Sequence, residues 1–332
     1  MDSSRTFKLS RRAVLAAVGL GTFTLARPAL AQASYPSRPI TIVVPTPAGG
    51  GTDYAARLIA EPMGVALSVP VVVENRPGGN DIIGLSTVAR SKPDGYTLLM
   101  GYCGTMAGRA AIGGTGEIDT RRDFVPIGQV TDTPQLMVVH PSLPVKDLRE
   151  FIAYAKQRPG KIDYASAGNG SMHHLGTELL KNRTGIDLVH IPYRGTGETI
   201  SDLIAGRVQF YMNSPPPLAQ LVRDGRLRPV SVSSNQRHPG FPEVPSLTEN
   251  GLSDFPLNVW FALFAPREVP PPLQRMLTDK LRVVLNDRDL QRRAFESGAL
   301  VSFTPPEEMA ARLDSEINGW KAVATAANIR AD

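Results

Sequence analysis

Ile40-Thr41-Ile42-Val43-Val44-Pro45-Thr46-Pro47-Ala48-Gly49-Gly50-Gly51-Thr52-Asp53 passes from a β-rich apolar run through a glycine loop into a helix. The run reads as a strand. The helix begins near Thr52 or Asp53 and sets Ala55, Leu58, Ile59 and Met63 on one face. A loop in this position turns its own amides and the helix N-terminus toward the same space. Unpaired N–H groups and the positive end of the helix dipole favour an anion there. Glycine lets a carboxylate approach the backbone with no Cβ in the way. In open α/β sheets ligands sit beyond the carboxyl ends of the strands, which is where this loop falls.

Outward from this stretch the alternation continues. Val71-Val72-Val73 reads as a strand, Asn75-Arg76-Pro77-Gly78-Gly79 as a turn, 83–90 as a helix and 96–100 as a strand. That order implies βαβ units and a mainly parallel sheet. It restarts after Leu136-Met137-Val138-Val139, with a helix over 145–157, a strand over 162–165 and the loop Ser166-Ala167-Gly168-Asn169-Gly170-Ser171. A helix through Leu175 and Leu179 follows, then a strand over 187–191 and a helix that Gly206 closes. Strands over 210–212 and 227–234 flank a helix over 218–224. A Pro-rich link, 239–256, leads to Val259-Trp260-Phe261-Ala262-Leu263-Phe264, and helices over 273–285, 287–297 and 306–327 end the chain. The expected fold class is therefore α/β, with two doubly wound lobes: 34–138 together with 257–332, and 139–256.

A strand, glycine loop and helix thus occur twice. The candidate ligand-binding residues are Thr46, Pro47, Ala48, Gly49, Gly50, Gly51 and Asp53 in the first lobe, and Ser166, Gly168, Asn169, Gly170 and Ser171 in the second. Asn213 and Ser214, after a short strand, complete the set. Tight strand-to-helix turns are the alternative for such glycines, one that the pairing of two loops weakens, helix capping is the alternative for Asp53, and a turn before Pro215 the alternative for Asn213-Ser214. Nucleotide loops fail on spacing. No Lys follows either loop, and G-x-G-x-x-G is not met.

The N-terminus has the layout of a secretory signal peptide, 1–33. Arg5, Lys8, Arg11 and Arg12 precede an apolar run over 13–25, and Ala29-Leu30-Ala31 and Ala31-Gln32-Ala33 are small-x-small cleavage sites. Ser10-Arg11-Arg12-Ala13-Val14-Leu15 resembles a twin-arginine motif. Of 36 basic and 31 acidic residues, five basic and one acidic lie before Ser34, so the mature chain is close to neutral. A nucleic-acid partner, which needs a basic patch in the folded part, is not expected. The single cysteine, Cys103, forms no intramolecular disulfide, and no G-x-S-x-G elbow surrounds Ser166 or Ser171. The five histidines lack metal-ligand spacing: His173 and His174 are adjacent and diverge on a helix, and H-E-x-x-H is missing. No catalytic group, metal or cofactor is expected, and the reading is a binding protein rather than an enzyme.

Several further segments carry a resemblance. Tyr35-Pro36-Ser37-Arg38-Pro39-Ile40, Pro47-Ala48-Gly49-Gly50-Gly51-Thr52-Asp53 and Val73-Glu74-Asn75-Arg76-Pro77-Gly78 are followed in order by three others. These are Pro93-Asp94-Gly95-Tyr96-Thr97-Leu98-Leu99, His190-Ile191-Pro192-Tyr193-Arg194-Gly195 and Glu243-Val244-Pro245-Ser246. In these the chain resembles the Bug receptors, the periplasmic substrate-binding proteins of tripartite tricarboxylate transporters, from about Tyr35 to the C-terminus. The resemblance implies a type II periplasmic-binding-protein fold, two lobes on a hinge that close on a small carboxylate. It implies amide and water contacts from the loops at 47–51 with Asp53 and at 166–171, a soluble monomeric mature chain in the periplasm, and membrane transporter subunits as partners. A sensor for a membrane kinase would share the same pocket. An exported enzyme on a similar scaffold is the third reading. The chain departs from the family at Thr46, where an aromatic wall is common, and at Asn213, where an Asp is common. It departs again at Gly79-Asn80-Asp81-Ile82 and over 103–109, where Arg109 is expected to face solvent, the alternative being contact with a distal carboxylate of the ligand.

Overall fold

Ile40, Ile42, Val43 and Val44 are buried because the strand they form, β1 (Ile40–Val44), runs inside a sheet rather than at its edge. Helix α1 (Gly51–Leu67), strand β2 (Val71–Asn75), helix α2 (Ile82–Ala89) and strand β3 (Thr97–Tyr102) follow. β2 and β3 both pair with β1 in parallel, as crossover helices require. A π-helical turn, Gly104–Arg109, leads to the long strand β4 (Phe124–Pro134). The chain then changes sheet. Strand β5 (Leu136–Val139), helix α3 (Leu148–Lys156), strand β6 (Asp163–Ser166), helix α4 (Met172–Thr184) and strand β7 (Val189–Pro192) build the second half. Helix α5 (Thr196–Ile204), strand β8 (Phe210–Asn213), helix α6 (Ala219–Arg223) and strand β9 (Arg228–Val232) complete it. Strand β10 (Asn258–Pro266) returns to the first sheet, and helices α7 (Pro271–Leu285), α8 (Arg288–Glu296) and α9 (Pro306–Ala326) close the chain.

The two sheets are built alike. The first has the order β2-β1-β3-β10-β4 and the second β7-β6-β8-β5-β9. In each, three parallel strands are followed by a strand that enters from the other half and pairs antiparallel on both sides. The mainly parallel sheet expected from the βαβ order is thus corrected to two mixed sheets. The periodic signal is identical for a returning antiparallel strand, so direction was not readable from it. The expected lobe boundary after residue 138 falls inside β5, all four residues of which pair in the second sheet, and the passage between sheets is at Gln135. There Gln135 N donates to Ser233 Oγ at 2.7 Å, Ser233 N donates to Gln135 O at 2.9 Å and Leu257 N donates to Ser233 O at 2.8 Å. The two crossing segments are therefore tied side by side.

β4 has no counterpart in the sequence reading. Pro126, Gly128, Gln129, Thr131, Asp132 and Thr133 erase the apolar signature of a strand, although its residues are largely buried. Tertiary partners meet three of those polar residues: Gln129 Nε2 donates to Ser302 O at 3.0 Å, Leu300 N donates to Thr133 Oγ1 at 2.9 Å, and Asp132 pairs with Arg312 of α9 at 2.7 Å. α7 is held to the same strand by Thr278 Oγ1, which donates to Ile127 O at 2.8 Å. Trp260 of β10, fully buried, donates its Nε1–H to Glu316 of α9 at 2.8 Å.

The chain is described here by a computed structural model over residues 35–252 and 257–330, and the expected signal peptide, 1–33, lies outside the described residues. The chain divides into Met1–Ser37 and Arg38–Asp332, and both sheets belong to the second unit.

α2 approaches the end of β1 so closely that a Cβ at Gly84 would lie 2.6 Å from Pro45 Cα and 3.1 Å from Arg76 O. Both neighbours are backbone and do not yield cheaply. Gly84→Ala is expected to lower unfolding free energy by about 1–3 kcal/mol. A change within about 0.5 kcal/mol by urea titration, the range of an ordinary surface substitution, would contradict this packing.

Candidate functional site

The carboxyl ends of β1, β3, β6, β7 and β8 all reach one cavity between the two sheets, holding about 530 Å³ of space between atoms with its open mouth included. Thr46, Pro47, Gly50, Gly51 and Thr52 line it from the first half, and His173, Gly195, Thr196 and Asn213 from the second. A wider cleft adjoins it, and Pro47, Asp81, Ala167 and Arg194 belong to the walls of both.

The first glycine loop is shaped by Asp53. Gly49 takes a left-handed φ of +84° and donates its N–H to Asp53 Oδ2 at 2.9 Å, while Arg57 pairs with Asp53 at 3.0 Å. Burial opposes the charge on Asp53, but the Arg57 and Gly49 hydrogen bonds outweigh it and hold the carboxyl below its usual range. Asp53, Ala48 and Gly49 do not line the cavity. Asp53 fixes the loop and, neutralised by Arg57, leaves the helix N-terminus attractive to an anion. The amides of Gly51 and Thr52, in the first turn of α1, make no hydrogen bond with the protein among the described residues.

The second glycine loop is arranged differently from the expectation. Ser166 is fully buried, its Oγ 2.6 Å from His190 Nε2, and it accepts the Gly168 N–H at 3.1 Å. Ser171 caps α4 by accepting from His174 N, and Gly170 N donates to His174 Nδ1 at 3.2 Å. Gly168 and Gly170 hold φ values of +94° and +71°, which the turn requires. None of Ser166, Gly168, Asn169, Gly170 and Ser171 lines the cavity; of this loop only Ala167 does.

What the loop's carbonyls hold is Arg109. Its Nη1 donates to Asn169 O at 2.7 Å and its Nη2 to Ala167 O at 3.3 Å. Its Nε lies 3.3 Å from Asp81 Oδ2, an ion pair by distance that is not aligned as a hydrogen bond. The expected solvent-facing Arg109 is thereby corrected: it is 3% exposed and bonds the first half to the second. A sequence carries no local mark of an arginine whose acceptors are main-chain oxygens about 60 residues away.

The second half instead offers the first turns of two helices. Met172 and His173 open α4, and Gly195 and Thr196 open α5; all four line the cavity. With α1, three helix N-termini meet there. Asn213 lines it as well, whereas Ser214 stands against Gly51, where a Cβ would collide with its Oγ and lie 2.6 Å from Phe261 Cζ. Arg194, exposed, places a cation at the mouth. Among the described residues no group of three or more His, Cys, Asp or Glu is placed to hold a metal ion.

His173 is 8% exposed, and burial, with the Arg109 charge acting in the same direction, pushes its pKa down to about 4. The folded value lies below the ordinary 6.5, so the unfolded chain binds the extra proton first. The stability this residue contributes is complete above pH 6.5 and lost as the pH falls toward 4. Urea midpoints across that window are expected to fall further in the wild type than in His173→Gln, by a difference on the order of 1–3 kcal/mol in unfolding free energy. Parallel pH curves would contradict the buried neutral ring.

The family model for the tripartite tricarboxylate transporter family receptor matches residues 55–328. Protein BugT of Bordetella pertussis is 34% identical over 313 residues, covering 93% of this chain and 96% of its own. The R. palustris protein Rpa4515, solved with adipate, is similar at 33% identity and a TM-score of 0.86, over 90% of this chain and 100% of the other. MatC (Rpa3494) from Rhodopseudomonas palustris, solved with bound malate, aligns at 32% identity and a TM-score of 0.81, over 87% and 99%. These likenesses cover both halves, and the mixed two-sheet architecture is a type II periplasmic-binding-protein fold. The chain belongs to the receptor family of the tripartite tricarboxylate transporters.

Proposed function

We propose that this receptor captures a small carboxylate in the periplasm between its two lobes and presents the closed form to the membrane subunits of a tripartite transporter. The single observation that carries the reading is the meeting of three helix N-termini, α1, α4 and α5, around one cavity. Amides in a first turn lack intrahelical partners and carry the positive end of the dipole, so together they favour an anion without a dedicated arginine clamp. Gly50, Gly51 and Thr52 contribute the first-lobe amides, with Thr46 and Pro47 as the adjoining wall. Ala48, Gly49 and Asp53 set the loop's shape. In the second lobe His173, Thr196 and Asn213 make the contact, while Ser166, Gly168, Asn169, Gly170 and Ser171 form the seat for Arg109, and Ser214 supports Gly51. Because residues from both lobes meet the ligand, it has higher affinity for the closed form than for the open one, which is the condition for ligand-driven closure. Export by a cleaved twin-arginine signal over 1–33 completes the reading. The family resemblance of solved relatives bound to adipate and malate supports the ligand class.

The purified protein is expected to melt at a temperature that rises with the concentration of a dicarboxylate such as succinate, malate or adipate. Gly51→Val, which drives a branched side chain into Ser214 and Phe261, is expected to remove that rise while far-ultraviolet circular dichroism stays unchanged. A rise in Gly51→Val equal to that of the wild type would overturn the placement of the site.

A further inference from the structure

We propose that Asp81 makes this receptor prefer a carboxylate that also carries a hydrogen-bond donor, a hydroxyl or an ammonium, because its Oδ1 is an unfilled acceptor in the wall of the cavity. The inference rests on the carboxylate reading above and narrows its ligand class.

Local structure does not account for an acid at this position. Asp81 is the N-cap residue of α2 and holds a left-handed φ of +75°, which side chains other than glycine adopt at a cost. An Asp at an N-cap normally accepts an amide of the first turn, but here no side-chain cap forms. The carboxylate is turned instead toward β3 and the π-helical turn that follows it. Thr105 Oγ1 donates to Asp81 Oδ2 at 2.6 Å and the Tyr102 hydroxyl donates to it at 3.5 Å. Arg109 Nε lies 3.3 Å from the same oxygen. All three groups thus share Oδ2.

Oδ1 accepts no hydrogen bond among the described residues. Nor is it sealed: the side chain is 10% exposed, and Oδ1 keeps contact with open space. That space is the ligand site. Asp81 and Tyr102 line the inner cavity together with Gly51 and Thr52, and Asp81 and Arg109 line the adjoining cleft. Arg109 balances the charge of Asp81, but its guanidinium reaches Oδ2 and the carbonyls of Ala167 and Asn169, which leaves Oδ1 to the ligand. A ligand whose only polar groups are carboxylates offers acceptors alone and brings one acid against another where screening is weak. A hydroxyl or an ammonium beside the carboxylate donates to Oδ1. Covering a charged acceptor without giving it a donor carries a desolvation penalty, and that penalty falls on the ligand lacking the donor.

The test is calorimetric titration of the purified protein with two matched series: succinate, malate and aspartate, and glutarate, 2-hydroxyglutarate and glutamate, each chiral acid as both enantiomers. In at least one series a donor-bearing acid is expected to bind about tenfold or more tightly than the plain diacid. Which arm shows the gain, hydroxy or amino, identifies the donor. Asp81→Asn fits the left-handed backbone and keeps its oxygen where Thr105, Tyr102 and Arg109 donate, so its amide N–H replaces Oδ1 and the acceptor becomes a donor. The ratio of the two dissociation constants is then expected to fall to one or below. Asp81→Gly, equally suited to that backbone, removes the acceptor and is expected to bring the ratio to about one. Melting temperatures of both variants establish that they fold. A plain diacid that binds the wild type as tightly as its donor-bearing partners in both series, or a preference that survives both variants, would overturn this inference and leave the carboxylate reading standing. Binding of none of these acids would overturn both.

Discussion

The cavity depends on two glycines whose backbone packs directly against side chains, with no Cβ between. Gly51, at the start of α1, stands against Ser214 and Phe261, and a Cβ on Gly195, before α5, would lie 2.8 Å from Pro47. Either side chain would hold the lobes apart, and the helix N-termini would then face water instead of one another. Their value for an anion comes from convergence in a site with little solvent, where each amide acts at short range and against weak screening. Glycine at these two places therefore controls both access and electrostatics.

Arg109 and the double crossing act on the same geometry from opposite ends. The crossing at Gln135 and Ser233 ties the two passages between sheets side by side by short hydrogen bonds. At the far side of the cleft Arg109 reaches Ala167 O and Asn169 O while its Nε stays beside Asp81. A buried guanidinium is costly unless its donors are paired, and the second half supplies two of its partners. The second glycine loop thus spends its carbonyls on an arginine of the first half.

Much of this was legible from local pattern. Ile40–Val44 and the triple glycine announce a strand, a turn and a helix start, because backbone need and residue type coincide there. The repeat around Ser166 and the late apolar run at Trp260 placed two halves and a returning strand. What escaped were residues whose meaning lies in distant partners. β4 hides its strand character behind Gln129, Thr131, Asp132 and Thr133, several of which are satisfied only by the C-terminal segment. His173 reads as half of a histidine pair, yet its ring meets Asn213, on a strand 40 positions away, at 3.1 Å. Arg109 reads as a surface charge until the second lobe is folded against it.

The central claim is that one carboxylate is held by amides of both lobes at once. A crystal structure of the protein with a bound dicarboxylate tests it most directly. The account predicts a carboxylate oxygen within about 3.2 Å of the Gly51 or Thr52 amide, directly or through one water, with the same molecule touching His173, Thr196 or Asn213. A ligand seated outside this cavity, or bonded to one lobe alone in a closed molecule, would contradict it.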